Sequence, residues 1–294
     1  MSPPPSQREF RGLFATDLDG TLLDRHGVIS QENIAAIRKA TESGVMVAIV
    51  TGRRCSTMRP QYPALEGLTY RVATSNGAVI LAPDNETPES FRQLPWSLVE
   101  ELCTRESLMA AHVLAITAPR PPDRSEVLPD CFVIEAGTRR WLTSWTPHMR
   151  ETLVPANPMA AQQAALVHAA LHLPTRAEAD EAADFMARDL PPQASVHVVV
   201  SPSGQGALAE VVPKGGKSFA LQYWQTQYGL TPEQTGAIGD ELNDLDLLDA
   251  ARHRFAVGGS VLAEQRRDAS VVVPAEASAV AEALNRFLEA LDEE

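Results

Sequence analysis

Two aspartates stand one residue apart in the stretch FATDLDGTLLD, residues 14–24, directly after an apolar run. Asp-Gly is a turn signal, so Asp19-Gly20 alone reads as the end of a strand. A turn does not account for Asp17, which precedes it, where withdrawing a carboxylate from water is costly unless something compensates. Two carboxylates this close repel each other, and a divalent cation is the commonest way to hold them together. Three further segments carry matching groups: Thr51-Gly52-Arg53, the lysine-bearing PKGGKS at 213–218, and GDELND at 239–244. Together the four offer Asp17, Asp19, Asp240 and Asp244, a lysine, a threonine hydroxyl and several loop amides. Hard carboxylate oxygens suit Mg2+. Hydroxyl, ammonium and loop N–H donors suit the oxygens of a phosphate. A carboxylate aimed at phosphorus can form an aspartyl-phosphate, and a second carboxyl nearby can give the leaving oxygen its proton and later take one from water.

These segments fall at, or just past, the C-terminal ends of expected strands. GLFAT (12–16), VMVAIVTG (45–52), TGAIGD (235–240) and RFAVGG (254–259) read as strands, and YRVATSNGAVI (70–80) holds another. SQENIAAIRKATESG (30–44) reads as a helix with Ser30 as N-cap and Gly44 as its stop. KSFALQYWQTQYGL (217–230) is helical with Ala220, Leu221, Trp224 and Tyr228 on one face, NDLDLLDAA is a helix, and SAVAEALNRFLEAL closes the chain as an amphipathic one. Near-continuous apolar strands alternating with helices predict an α/β fold with a doubly wound parallel sheet. Such sheets bind ligands outside the carboxyl ends of their strands.

Between about Pro83 and Gly206 the texture changes, with more proline and less regular spacing. SLVEELCTRESL and RAEADEAADFMARDL read as helices, and HVLAIT, CFVIEAG and ALVHAALHL as strands. SVHVVVSPSGQGALAEVV reads as a strand pair joined by the turn Ser203-Gly204-Gln205-Gly206. Helix followed by hairpin is an α+β signature. The organisation expected is a disordered leader at 1–9, a core domain of 10–82 and 207–294, and an inserted α+β domain at 83–206.

The 294 residues suffice for two domains. A formal charge of −13 leaves no basic excess to neutralise nucleic-acid phosphates. No apolar run is long enough to span a membrane, and MSPPPSQREF lacks the apolar core of a secretory signal. Cys55, Cys103 and Cys131 are scattered without metal-ligand spacing, which fits reduced thiols in the cytoplasm. The seven histidines show no zinc-binding spacing. Nothing in the sequence calls for an obligate protein partner.

DLDGT, TGR, the lysine and GDELND, in that order, resemble the four motifs of the haloacid dehalogenase superfamily of phosphohydrolases. The insert after SNGA looks like the α/β cap of its Cof-type subgroup (class IIB, with a C2 cap). The resemblance implies a Rossmann-like core with an inserted cap, and a Mg2+-dependent phosphatase of small phosphorylated metabolites, sugar phosphates foremost. It implies Asp17 as nucleophile and Mg2+ ligand, and Asp19 as general acid/base with its backbone carbonyl on the metal. Thr51 and Gly52 would hold the phosphate, with Leu18, Arg53, Asn76 and Asn243 as further phosphate or substrate contacts. Lys217 would neutralise charge between phosphate and Asp17, Asp240 would ligate Mg2+, and Asp244 would support that shell. The segment before the lysine is one residue shorter than usual in that family; Lys217, which keeps the K-x-x-A-L spacing, is preferred to Lys214. AVGGS at 256–260 replaces the family's usual Gly-Asn-Ala.

Each segment also has a plainer reading. Thr51-Gly52-Arg53 serves as a strand-to-helix turn with Arg53 paired to an acidic neighbour. Lys217 is a solvated first-turn lysine, although a cation there opposes the helix dipole. GDELND is a helix start capped by Asp240 or Asn243, and Asn76-Gly77 is a turn. Trp96, Trp141 and Trp145 are core or pocket residues of the insert. A phosphotransferase such as a phosphohexomutase, or a weakly active binding or regulatory protein, would use the same scaffold.

Overall fold

The computed structural model describes residues 10–104, 112–118, 131–134, 154–155, 165–200 and 206–293. The expected leader, Trp141, Trp145 and the turn positions Ser203 to Gln205 lie outside the described residues. Numbered along the chain, the strands described are β1 Gly12–Thr16, β2 Val45–Val50, β3 Arg71–Thr74, β4 Val79–Leu81, β5 Pro88–Phe91, β6 His112–Thr117, β7 Cys131–Ile134, β8 Val154–Pro155, β9 Leu166–Leu173, β10 Ala194–Val200, β11 Ala207–Pro213, β12 Thr235–Gly239, β13 His253–Ala256 and β14 Ser270–Val271. The chain divides into two compact units. One is Met1–Thr51, Gln61–Ala73 and Lys217–Glu294; the other is Gly52–Pro60 and Thr74–Gly216.

The first unit is built on a parallel sheet in the order β14-β13-β12-β1-β2-β3. β1 and β2 are buried at every position, as strands covered on both faces must be. The helix Gln31–Glu42 buries Ala36, Ile37 and Ala40, and the helix Ala279–Glu293 buries Val280, Ala283, Leu284 and Phe287. Phe287 reaches the Phe14 ring at 5.4 Å between centroids. Ser30 caps the first of these helices, its side chain accepting from Asn33 N, and Gly44 follows its end at φ 80°. Register is the feature that matters for chemistry. Thr16 of β1 stands opposite Ile49 of β2 and Ile238 of β12. The residues that follow, Asp17, Thr51 and Asp240, therefore emerge at the same end of three adjacent strands.

In the second unit a sheet runs β10-β11-β9-β6-β7-β8, antiparallel except for β7 with β8. Alternation along β9 and β11 sends Ala169, Leu171, Ala209 and Val211 into an apolar core with Leu98 and Leu102 of the helix Ser97–Thr104 and with Ala179 and Ala183 of the helix Arg176–Ala187. Trp96 packs on this core, partly buried. The opposite face of the same strands carries His168, His172 and Glu210, all buried.

The stretch 70–80 holds two strands. The backbone leaves β3 through Ser75 and Asn76, both at φ 53°, and Gly77 at 80°, before β4 pairs antiparallel with β5. β5 was not expected, because PESF has no apolar alternation and leaves Glu89 and Phe91 exposed.

Candidate active site

Asp17 follows β1 directly and its N–H donates to Ile238 O at 3.0 Å. The residue is 6% exposed, Asp244 is 0% and Lys217 is 1%. Lys217 Nζ donates to Asp17 Oδ1 and to Asp244 Oδ1, each at 2.5 Å. Of the two candidate lysines, Lys217 therefore reaches the aspartates, whereas Lys214 is exposed. Lys217 occupies the N-cap position of the helix Ser218–Tyr228. A buried cation at the positive end of a helix is unfavourable unless carboxylates face it, and here two do.

The GDELND loop folds on its own acid. Asp244 Oδ2 accepts from Asp240 N and Glu241 N, both at 3.1 Å. The cap expected from Asp240 or Asn243 is replaced by this arrangement: Glu241 takes the N-cap position of the turn Leu242–Asp244, and Asp244 is the side chain that satisfies the amides. With its other oxygen on Lys217, Asp244 holds both the loop and the lysine. Asp240 is left facing the loop after β1, where Thr21 Oγ1 donates to its Oδ1 at 2.8 Å.

Two glycines allow the carboxylates to sit this close. A β-carbon on Gly20, which has φ +77°, would come within 2.4 Å of Asp240 Oδ2. One on Gly239 would come within 2.5 Å of the Asp244 side chain. A side chain at Gly20 would be strained by the left-handed backbone and would displace the Asp240 carboxylate.

One ligand oxygen from each of Asp17, Asp240 and Asp244 lies within 4.8 Å of the others. Burial raises Asp17 to about 7, against the pull of the Lys217 charge. Burial, reinforced by Asp17 and Asp244, raises Asp240 to about 9. Burial alone would lower Lys217, but the two carboxylates outweigh it and raise it. Among the described residues, three carboxylates around one ammonium carry more negative charge than that ammonium neutralises. A hard divalent cation fits that deficit and this all-oxygen donor set.

The other expected site residues are placed as follows. Leu18 is fully buried, and its carbonyl accepts from Leu23 N at 2.7 Å, closing the loop after β1. Asp19 is half-buried, and its charge adds to the upward push on Asp17. Thr51 is buried, with its N–H on Ala73 O at 2.9 Å. Asn243 is half-buried in the turn Leu242–Asp244. Gly52, Arg53 and Asn76 belong to the second unit. Arg53 Nη1 donates to Thr57 O at 3.2 Å, and Asn76 Nδ2 donates to Glu210 Oε2 at 2.9 Å. Sequence reasoning assigned no part to Thr21, although it stands inside DLDGT, nor to Asp246. Burial raises Asp246 to about 6, and its Oδ2 accepts from Ser218 N at 3.3 Å, anchoring the helix that follows Lys217.

A family model described as haloacid dehalogenase-like hydrolase matches residues 14–117 and 157–284. A 5-amino-6-(5-phospho-D-ribitylamino)uracil phosphatase of Bacillus subtilis is 27% identical over 267 residues, spanning 85% of this chain and 87% of that protein. A pyridoxal phosphate phosphatase of Escherichia coli is 25% identical over 269 residues, spanning 89% and 92%. Among solved structures, a haloacid dehalogenase-like hydrolase from B. subtilis superposes with a TM-score of 0.73 at 19% identity, covering 93% of this chain and 99% of that one. A HAD subclass IIB sugar phosphatase superposes at 0.70 with 18% identity, covering 94% and 98%. At these identities the structures speak to the fold.

Proposed function

Since the chain belongs to the haloacid dehalogenase-like hydrolases, we propose that it is a Mg2+-dependent phosphatase of small phosphorylated metabolites, working through an aspartyl-phosphate on Asp17. The observation that carries this reading is the buried cluster of Asp17, Asp240, Asp244 and Lys217 at the carboxyl ends of adjacent strands. Asp17 and Asp240, with the backbone carbonyl of Asp19, would hold the ion, and Asp244 would fix their surroundings. When bound, the ion supplies positive charge to the oxygens of the transferring phosphoryl group.

The chain's own residues account for the rest. A carboxylate oxygen of Asp17 attacks phosphorus as the bond to the leaving alkoxide oxygen breaks, and Asp19 delivers the proton to that oxygen. Asp19 then takes a proton from water. That water attacks phosphorus, the bond to Asp17 breaks, and inorganic phosphate leaves. Lys217 keeps Asp17 ionised and oriented and lends its charge to the equatorial oxygens. Thr51 and Gly52, at the end of β2, supply hydroxyl and amide donors to the phosphate, with Leu18, Arg53, Asn76 and Asn243 as supporting contacts.

The insertion at 83–206 is proposed to read the leaving group. Sugar and polyol phosphates are the substrate class proposed, in keeping with the phosphoribityl group in one relative's name; the pyridoxal phosphate of another marks the alternative. The cytoplasm is the location proposed, in keeping with three cysteines scattered without metal-ligand spacing. The test is phosphate release from a panel of hexose, pentitol and pyridoxal phosphates, with and without Mg2+, by wild type and Asp17→Asn. Mg2+-dependent release that the variant loses is expected. Release by both proteins alike would overturn the reading, and isomerised sugar phosphate without free phosphate would redirect it to phosphotransfer.

A further inference from the structure

Within the second unit one buried carboxylate has no part in the chemistry above. Glu210, on β11, is 6% exposed, and its Oε2 accepts from Asn76 Nδ2 at 2.9 Å. That bond fixes which way the Asn76 amide faces, nitrogen towards Glu210 and oxygen away from it. The oxygen so directed lies against Gly52: a β-carbon there would be 3.2 Å from Asn76 Oδ1, 3.6 Å from Nδ2 and 3.7 Å from Cγ. The amide thus faces Gly52 closely enough that a β-carbon there would fit only tightly against its oxygen. One residue along, Ser75 N donates to Arg53 O at 2.7 Å. Two successive residues of the turn after β3 therefore clasp two successive residues of the loop after β2.

The clasp holds an unusual backbone. Ser75 and Asn76 both have φ 53°, and both are buried. Side-chain-bearing residues rarely adopt that conformation, and it persists where the surroundings over-determine it. Glu210 is part of those surroundings. Its second oxygen, Oε1, lies 3.6 Å from His168 Nε2, beyond hydrogen-bond reach, and neither His168 ring nitrogen has a hydrogen-bond partner. The hydrogen bond that orients the carboxylate is therefore the one from Asn76, with His168 at ion-pair distance.

We propose that Glu210 is a positioning residue for the phosphate-binding loop, setting the backbone path at Gly52 through the Asn76 amide. The inference rests on the reading of Thr51-Gly52 as that loop. Without Glu210 the Asn76 Nδ2 loses this acceptor, and with it the hydrogen bond that holds the amide oxygen on the Gly52 side.

The test measures inorganic phosphate binding by calorimetry in the presence of Mg2+, alongside KM, kcat and Tm. The proteins are wild type, Glu210→Ala, Glu210→Gln, Asn76→Ala and the Asn76→Ala/Glu210→Ala double variant. Loss of one orienting hydrogen bond predicts phosphate binding about 10-fold weaker in Glu210→Ala, with KM raised by a similar factor. Glu210→Gln keeps an acceptor for Asn76 and stays within about threefold of wild type. The double variant binds phosphate no more weakly than Asn76→Ala, because both changes cut the same link. Should Glu210→Ala fail to fold, Glu210→Asp keeps the charge, withdraws the acceptor by one methylene, and is expected to show the same weakening.

Unchanged phosphate binding with only a lower Tm would make Glu210 a structural carboxylate and overturn the proposal, as would additive losses in the double variant. Glu210→Gln binding as weakly as Glu210→Ala would overturn it too, by showing that charge and not orientation matters. Wild type that binds phosphate but hydrolyses no ester would sink the phosphatase reading and leave this test standing. Wild type that hydrolyses esters while Glu210→Ala matches it would sink the positioning role alone.

Discussion

Gly20 and Gly27 form a natural pair of perturbation and control. Both adopt left-handed backbone, φ +77° and +74°. Replacing either by alanine brings a conformational cost of about 1–2 kcal/mol. The two differ in what the new methyl group meets. At Gly27 nothing lies within 4 Å, whereas at Gly20 the β-carbon falls 2.4 Å from Asp240 Oδ2. An ordinary non-bonded contact is about 3.5 Å, so the carboxylate must retreat by roughly 1 Å. It is the free end of a side chain and can rotate, so the retreat adds little to the stability loss. It does, however, pull Asp240 away from Thr21, which donates to its Oδ1 at 2.8 Å, and away from Asp17. Misplacing a catalytic group by about 1 Å costs on the order of 100-fold in rate. Urea unfolding is thus expected to show similar losses for Gly20→Ala and Gly27→Ala. Phosphate-release assays are expected to separate them: kcat/KM falls by roughly 10- to 100-fold in Gly20→Ala, with more Mg2+ needed for half-activation, and stays within about twofold of wild type in Gly27→Ala. Wild-type kcat/KM in Gly20→Ala, or equal losses in both, would refute the argument that Gly20 is there to make room for Asp240.

Two further outcomes follow from the buried charges. Asp240 and Asp17 are raised from 3.8 in ordinary surroundings to about 9 and about 7, so between pH 4 and 9 the folded, metal-free protein keeps protons that the unfolded chain has released. Its stability therefore falls as pH rises through that window, by at most about 1.4 kcal/mol per pH unit for each group. Asp240→Asn should flatten the decline of Tm from pH 5 to 8 in chelator and abolish the stabilisation that Mg2+ gives wild type; identical slopes would contradict the cause assigned to the shift. Lys217→Met leaves Asp17 and Asp244 buried without their cation, a loss of about 3–5 kcal/mol. The loss should be larger at pH 8 than at pH 5, where protonation of Asp17, which burial raises to about 7, relieves part of it. Chemical denaturation at the two pH values checks it, and an equal loss at both would argue against a charge origin.

What the sequence disclosed depended on whether the cause was local. β1 and β2 are buried on both faces, so each reads as an uninterrupted apolar run. Ser30 caps its helix through a bond three residues away, which is why it was legible. PESF pairs antiparallel with β4 and offers no such pattern. The four chemical segments were recognisable individually, but their meeting was not. Lys217 and Asp17 are 200 residues apart, and Thr21 and Asp240 are 219 apart. Only a strand order that sets β12 beside β1 joins them. A resemblance in motif order supplied that expectation; periodicity could not. Asp244 shows the same limit within one segment. GDELND looks like a helix start capped by Asp240 or Asn243, but the side chain that accepts from the loop amides is that of Asp244, whose other oxygen accepts from a lysine 27 residues earlier. Gly20 is readable as a turn residue, yet a side chain there would also crowd the Asp240 carboxylate, and Gly239, at the end of an expected strand, stands where a β-carbon would meet Asp244 five residues ahead. Local turn chemistry and the demands of the site ask for the same residue at Gly20, so sequence alone could not separate them. The Gly20 and Gly27 substitutions can, since they share the turn chemistry and differ only in the neighbour.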